Sequence, residues 1–211
     1  MIVAKYRKSE LISNYTILTI LALTCILPII LLFFNSIKPQ EEFGINPLGF
    51  PITIRFANFV DAWFIGEYAQ IFLNSSKLVI GTLILNLTVS GLAGFSLAKL
   101  YPRGSNVFLV YLLVGVSIPA QMFILPLFLM WKELNLMNTH LGLIIIYAGL
   151  NAPFATFLIR SYMIQLPDEL FDAAKIDGAN TLQLFYRIAL PISWPVFLTT
   201  GLVVGLAVWN E

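Results

Sequence analysis

The chain has 211 residues, 59% of them hydrophobic and 11% charged, with a formal net charge of +1 and a mean hydropathy of +0.87. Soluble domains carry about 25% charged residues, so this composition excludes an ordinary water-soluble domain and points to a chain that resides in lipid. The near-neutral charge gives no bulk electrostatic case for nucleic acid. The one cysteine, Cys25, forms no internal disulfide and reads as a small apolar packing residue. The one histidine, His140, makes no metal cluster.

Lys5, Arg7 and Lys8 precede an apolar run over residues 14–34. The charged start resembles a signal peptide. The run is long enough to span, however, and ends without a small-x-small cleavage site, so it reads as an uncleaved first span. Four more uncharged segments of spanning length follow, at 78–98, 106–130, 141–159 and 192–209. The second is bounded by Lys77 and Lys99, the third carries Pro119 and Pro126, the fourth carries Pro153 and stops at Arg160, and the fifth has Pro195 near its start. Such long continuous runs are helices rather than barrel strands, because helices close their hydrogen bonds within one segment. The expected fold is all-α, a polytopic membrane helix bundle forming one transmembrane domain over 1–211.

Alternating spans put Lys5, Arg7, Lys8, Lys99, Arg103, Arg160, Lys175 and Arg187 on one side, and Lys38, Arg55, Lys77 and Lys132 on the other. The excess of basic residues marks the cytoplasmic side. The amino terminus and the loop 166–195 therefore belong there, and the loop 35–77 is external. In the external loop Pro39, Pro47 and Pro51 predict an irregular first half. The second half, from Ala57 to Phe64, has aromatic residues at helical spacing, as in an interfacial helix.

Within the spans Ser90 with Gly94, Gly94 with Ala98, and Gly201 with Gly205 are small-xxx-small pairs that allow close helix approach. Asn86, Gln121 and Asn151 are polar groups at membrane depth. Each faces either a translocation path or a neighbouring helix to which it hydrogen-bonds.

The polar stretch 166–195 is the anomaly, with Asp168, Glu169, Asp172 and Asp177 close together between two apolar segments. Pro167 suits the start of a helix over about 168–177, whose first turn favours Asp168 and Glu169. Gly178 suits the left-handed residue that ends it. Asn180 with Gln183 predicts a capping box for a second helix from Thr181 to about Leu190, with Pro191 and Pro195 at the step into the last span. Leu170, Ala173, Ala174 and Asp177 share one face of the first helix, with Phe171 beside them. A low-relief helix of this kind can seat in a groove of another protein.

The run from Asp172 through Ala173, Ala174, Asp177, Gly178 and Ala179, with Phe185, Pro191 and Pro195 beyond it, resembles the EAA loop of binding-protein-dependent ABC transporter permeases. Asn58-Phe59, Asn74-Ser75, the stretch GLAGFSLAK at 91–99, Pro119, the stretch at 134–143 and Trp209-Asn210-Glu211 extend the similarity to the carbohydrate-uptake subfamily, close to the smaller permease of maltose- and raffinose-type systems. Asp172 stands where the pattern has glutamate, one methylene shorter. The resemblance implies a type I importer fold with six spans, of which five are seen here. It implies that the chain binds no cofactor itself, since ATP and magnesium are held by cytoplasmic ATPase subunits. It also implies a second permease subunit and an external solute-binding protein as partners, in a prokaryotic inner membrane. Asp172, Ala173, Ala174, Asp177, Gly178, Ala179, Phe185 and Pro191 would form the coupling site.

Two other readings compete. A passive channel or scaffold does not require a capped acidic loop. An intramembrane enzyme built on Ser96 and His140 would need them within roughly 3 Å, yet the topology puts them at opposite faces of the bilayer. No catalytic residues and no Walker A pattern are expected.

Overall fold

The structure is a computed structural model that describes residues 8–211. Lys5 and Arg7 of the charge count lie outside the described residues, as does the amino terminus. Every regular element among the described residues is helical. The chain divides into two compact units, 1–70 and 71–211.

In the first unit α1 (Lys8–Ser36) is a long apolar helix containing Pro28. Cys25 is exposed on its surface rather than packed in a core. The helix has an apolar surface throughout its membrane-length stretch, as expected where lipid is the neighbour. Beyond it the chain has little regular structure but is closely tied. Lys38 is only 2% exposed. Its Nζ donates to Asn35 Oδ1 at 3.0 Å, the Asn46 carbonyl at 2.7 Å and the Gly49 carbonyl at 2.8 Å. These three acceptors match the three donors of an ammonium group, so the buried charge is fully hydrogen-bonded. Asn58 Nδ2 donates to the carbonyls of Ser36 and Lys38, which ties α3 (Ala57–Ile65) to the end of α1. Phe59, Trp63 and Phe64 on α3 are exposed.

The short helix α2 (Gln40–Ile45) carries Glu42, whose carboxylate accepts from the backbone N–H groups of Ile52 at 2.7 Å and Thr53 at 3.0 Å. The Ile52 N–H above all holds the carboxyl below its ordinary value of 4.5; desolvation opposes it, and Thr53 and then Lys38 add to the lowering. A lowered folded pKa stabilises the loop above the ordinary glutamate value and loses that effect as pH falls through the folded pKa. Glu42→Gln is therefore expected to speed amide exchange at Ile52 and Thr53 at neutral pH. The difference from wild type should vanish in acid below the folded pKa. A difference that persists there would exclude the carboxylate as the cause.

In the second unit α4 (Tyr68–Phe95) enters from the preceding unit and continues through a π-helical turn at Ser96–Leu100. Together they make a helix of 33 residues, about 50 Å at 1.5 Å per residue. That exceeds the roughly 30 Å of a bilayer core, so Lys77 lies within the helix instead of ending it. Next come α5 (Ser105–Ser117), α6 (Ile124–Glu133) and α7 (His140–Met163). The loop region holds α8 (Asp168–Ile176), α9 (Thr181–Leu184), a π-helical turn at Phe185–Ala189 and α10 (Leu190–Ile192). The last element is α11 (Trp194–Trp209).

Among the described residues three helices are long and apolar enough to cross a membrane, or up to five if each of two bent pairs counts as one span. The expected span 106–130 is broken. Ser105–Ser117 and Ala120–Glu133 meet at 96°, because Ile118 is extended ahead of Pro119, with ψ 125°. The fifth expected span starts at a second bend, of 78°, between Thr181–Ile192 and Trp194–Trp209. Pro195 can donate no backbone hydrogen bond there, and Ser193 closes the turn by accepting from Val196 and Phe197.

The small residues lie where helices approach most closely. A Cβ on Gly94 would stand 3.2 Å from the Arg160 backbone nitrogen on α7, and one on Gly91 would stand 2.8 Å from the Phe197 ring. Gly201 and Gly205 on α11 face Leu87, Leu83 and Val79 of α4. Asn86 Nδ2 donates to the Ala148 carbonyl at 2.8 Å and Ser90 Oγ to the Ala152 carbonyl at 3.3 Å. These contacts pair α4 with α7 in parallel and α4 with α11 antiparallel.

The continuous hydrophobic core is not at mid-span. It joins Phe95, Ala98, Ile159, Met163, Phe171, Leu184, Phe185, Ala189, Val196 and Phe197, at the end of the bundle where the acidic loop is attached.

Candidate functional site

The loop starts with a helix set by its own sequence. Pro167 is at the N-cap of α8, with φ −60° and ψ 133°, and Asp168 and Glu169 occupy the first turn. Asp177 is the C-cap. Gly178 follows at φ +82°. Its N–H donates to the Lys175 carbonyl at 3.0 Å, and the Ala179 N–H to the Ala174 carbonyl at 2.9 Å. Nothing lies within 4 Å of where a Gly178 Cβ would stand, so the backbone angle alone calls for glycine here. Asn180 and Gln183 form the capping box, with Gln183 N–H to Asn180 Oδ1 at 2.9 Å and Asn180 N–H to Gln183 Oε1 at 2.8 Å. The helix it starts is shorter than expected, since a π-helical turn begins at Phe185.

The coupling candidates differ in exposure. Asp172, Ala173, Asp177, Gly178 and Pro191 are exposed, while Ala174 and Ala179 are half-buried. Phe185 is buried in the core, against Phe95 at a centroid distance of 5.5 Å, so it holds the loop to the bundle and does not face outward. Asp172 Oδ1 accepts from Lys175 Nζ at 2.9 Å on its own helix, an exposed pair.

Three residues take roles that the sequence did not show. Phe171 is the buried anchor of α8, 6.1 Å from the Phe95 ring. Ile176, 86% exposed, is an apolar tip on the outer face of α8. Lys99 Nζ donates to the Leu166 carbonyl and to Asp168 Oδ1, both at 2.6 Å. The i, i+3 placing of Phe171 and Ala174 was the available signal for the buried face. Nothing local signalled Lys99, which read only as a topology charge.

The membrane-depth candidates also separate. Gln121, at the α5–α6 bend, and Asn151 line one cavity of about 640 Å³ with Trp131, Asn138 and Tyr147. Asn151 Nδ2 is bonded to the Tyr147 carbonyl of its own helix at 2.8 Å. Asn86 is not in that cavity but is buried between α4 and α7. Ser96 and His140 are far apart. Leu97, next to Ser96, takes a hydrogen bond from Arg160. His140 lies twenty residues earlier on the same α7, about 30 Å along the axis.

The family model described as binding-protein-dependent transport system inner membrane component matches residues 90–211, which carry the whole loop and the core beneath it. The chain belongs to this family. The permease NgcG of the diacetylchitobiose uptake system of Streptomyces coelicolor is 29% identical over 94% of this chain and 66% of its own length. AraQ, an arabinooligosaccharide transport permease of Halalkalibacterium halodurans, is 33% identical over 90% of this chain and 69% of its own. The chain thus spans about two thirds of the length of these curated relatives. Among solved structures, a chain of a bacterial ABC transporter involved in import of the acidic polysaccharide alginate superposes with a TM-score of 0.78 at 26% identity. That match covers 98% of this chain and 74% of that one. The family is described as an inner membrane component, and the long apolar helices of this chain suit that setting.

Proposed function

We propose that the chain is a permease subunit of an ATP-driven importer and that the loop 166–195 couples it to a cytoplasmic ATPase. The supporting observation is the loop's construction, a helix with an exposed acidic and apolar face, seated directly on the bundle's hydrophobic core. A connector between two spans has no use for such a core attachment. The ATPase holds the nucleotide and its magnesium, a second permease subunit completes the pathway, and an external solute-binding protein delivers the solute. The amino terminus shares the cytoplasmic side with the loop. The relatives' names, diacetylchitobiose and arabinooligosaccharides, support a sugar or oligosaccharide as cargo. The cavity at Gln121 and Asn151, with the Trp131 and Tyr147 rings, has the mixed apolar and amide lining that suits a sugar path.

Asp172→Arg tests the docking contact. The Asp172–Lys175 pair is exposed and, as an intrahelical pair, is worth only about 0.2–0.5 kcal/mol, so α8 survives its loss. Co-purification of the ATPase with the assembled transporter is expected to fall about tenfold, the equivalent of about 1.4 kcal/mol. Unchanged co-purification would remove Asp172 from the interface.

A further inference from the structure

We infer that Lys99 is a positioning residue that latches the start of the coupling helix to the end of α4, so that movement of α8 is passed into that span. The inference rests on the coupling reading above. The Lys99 side chain is only 5% exposed, although it lies at the end of a helix where lysine usually extends into water. Its ammonium group is aimed at one target. It donates to the Leu166 carbonyl and to Asp168 Oδ1, each at 2.6 Å, and stands 5.3 Å from the centre of the Phe171 ring. Those residues are the entry, the first turn and the buried anchor of the coupling segment.

The backbone around Lys99 is shaped for this. Residues Ser96–Leu100 form a π-helical turn, and Tyr101 ends it in the left-handed region at φ 45°. Such turns commonly mark functional positions. The wider turn shifts the helix register beside α7, where Arg160 Nε donates to the Leu97 carbonyl at 3.3 Å. The end of α4 is therefore held to α7 through Leu97 and to α8 through Lys99.

The two attachments differ in kind. The ring contacts of Phe95 with Phe171 and Phe185, tilted at 42° and 53°, anchor α8 by packing and fix position less tightly than charged hydrogen bonds. The Lys99 bonds are charge-assisted and directional, and they fix both distance and angle. A pull on α8 then moves the end of α4 with it, whereas without the latch only ring packing joins the two.

The test measures solute uptake per ATP hydrolysed, together with ATPase binding, in the assembled transporter reconstituted in liposomes. Lys99→Met keeps the packed stem and removes the charge. It is expected to retain ATPase binding and hydrolysis while uptake per ATP falls about tenfold, and Lys99→Arg is expected to recover most of the loss. A wild-type ratio in Lys99→Met, or an equal loss in Lys99→Arg, overturns the latch. If Lys99→Met fails to assemble, Asp168→Lys decides, because that side chain is 78% exposed and its reversal repels Lys99 without disturbing the core. A lowered ratio supports the latch, and an unchanged one overturns it. Absence of any ATP-driven uptake in the wild-type assembly would instead overturn the coupling reading beneath it.

Discussion

Gly178→Pro is expected to abolish ATP-driven uptake while the protein still inserts into the membrane at normal levels. Gly178 has φ +82°, and proline is held near −65°. The substitution also removes the N–H that closes the turn onto the Lys175 carbonyl. The chain cannot leave α8 in the same direction, so the exposed face of the helix is re-aimed relative to the core. Gly178→Ala separates this from a steric effect. A methyl group at this position meets nothing within 4 Å, so its cost is only the left-handed strain of about 1–2 kcal/mol. The alanine variant is expected to transport at a reduced rate. Uptake at the wild-type rate by the proline variant would show that the direction of α8 does not matter, and the coupling reading would fail with it.

The second large effect is expected for Phe185→Ala. Phe185 is 4% exposed and packs on Phe95, on Tyr186 and beside Gly91. Deleting a buried phenylalanine side chain costs about 3–5 kcal/mol through lost burial and the cavity left behind. The ring lies where α9 turns into its π-helical segment, so the loss falls on the joint between loop and span. A marked drop in the melting temperature of the detergent-purified protein is expected, with uptake falling further than expression does. Leu182→Ala, at an exposed position on the same loop, serves as the control and should do little. Equal melting temperatures for the two variants would mean that Phe185 does not hold the loop in place.

These two positions also show how differently the sequence informs. Gly178 was legible because its constraint is local. A helix with acidic residues in its first turn, followed by glycine and a capping pair at Asn180 and Gln183, encodes its own boundaries through hydrogen bonds a few residues apart. The same holds for the apolar lengths of α1 and α7, which follow from the thickness of a bilayer. Phe185 was recognisable as part of a pattern, but its role was not. Whether an aromatic ring faces a partner or a core depends on what the rest of the chain brings beside it. Here that is Phe95, ninety residues earlier.

The bends were only half legible. Pro119 and Pro195 were visible, and each removes a backbone donor. The size of the turn, 96° in one case and 78° in the other, depends on what the two arms pack against. Asn86 and Asn151 looked alike in sequence, as single amides in apolar runs. Packing separated them, setting Asn86 between two helices and Asn151 at the wall of a cavity.

By itself the sequence determined that the chain is a membrane helix bundle and that residues 166–195 form a capped, polar, helical loop, because span length and helix capping are written in neighbouring residues. Only the tertiary structure decided how that loop is attached. The parallel pairing of α4 with α7 brings Lys99 to the Leu166 carbonyl and Asp168, and it brings Phe95 to Phe171 and Phe185. Contacts across sixty to ninety residues leave no periodic trace in the sequence, since they depend on which helix faces are pressed together.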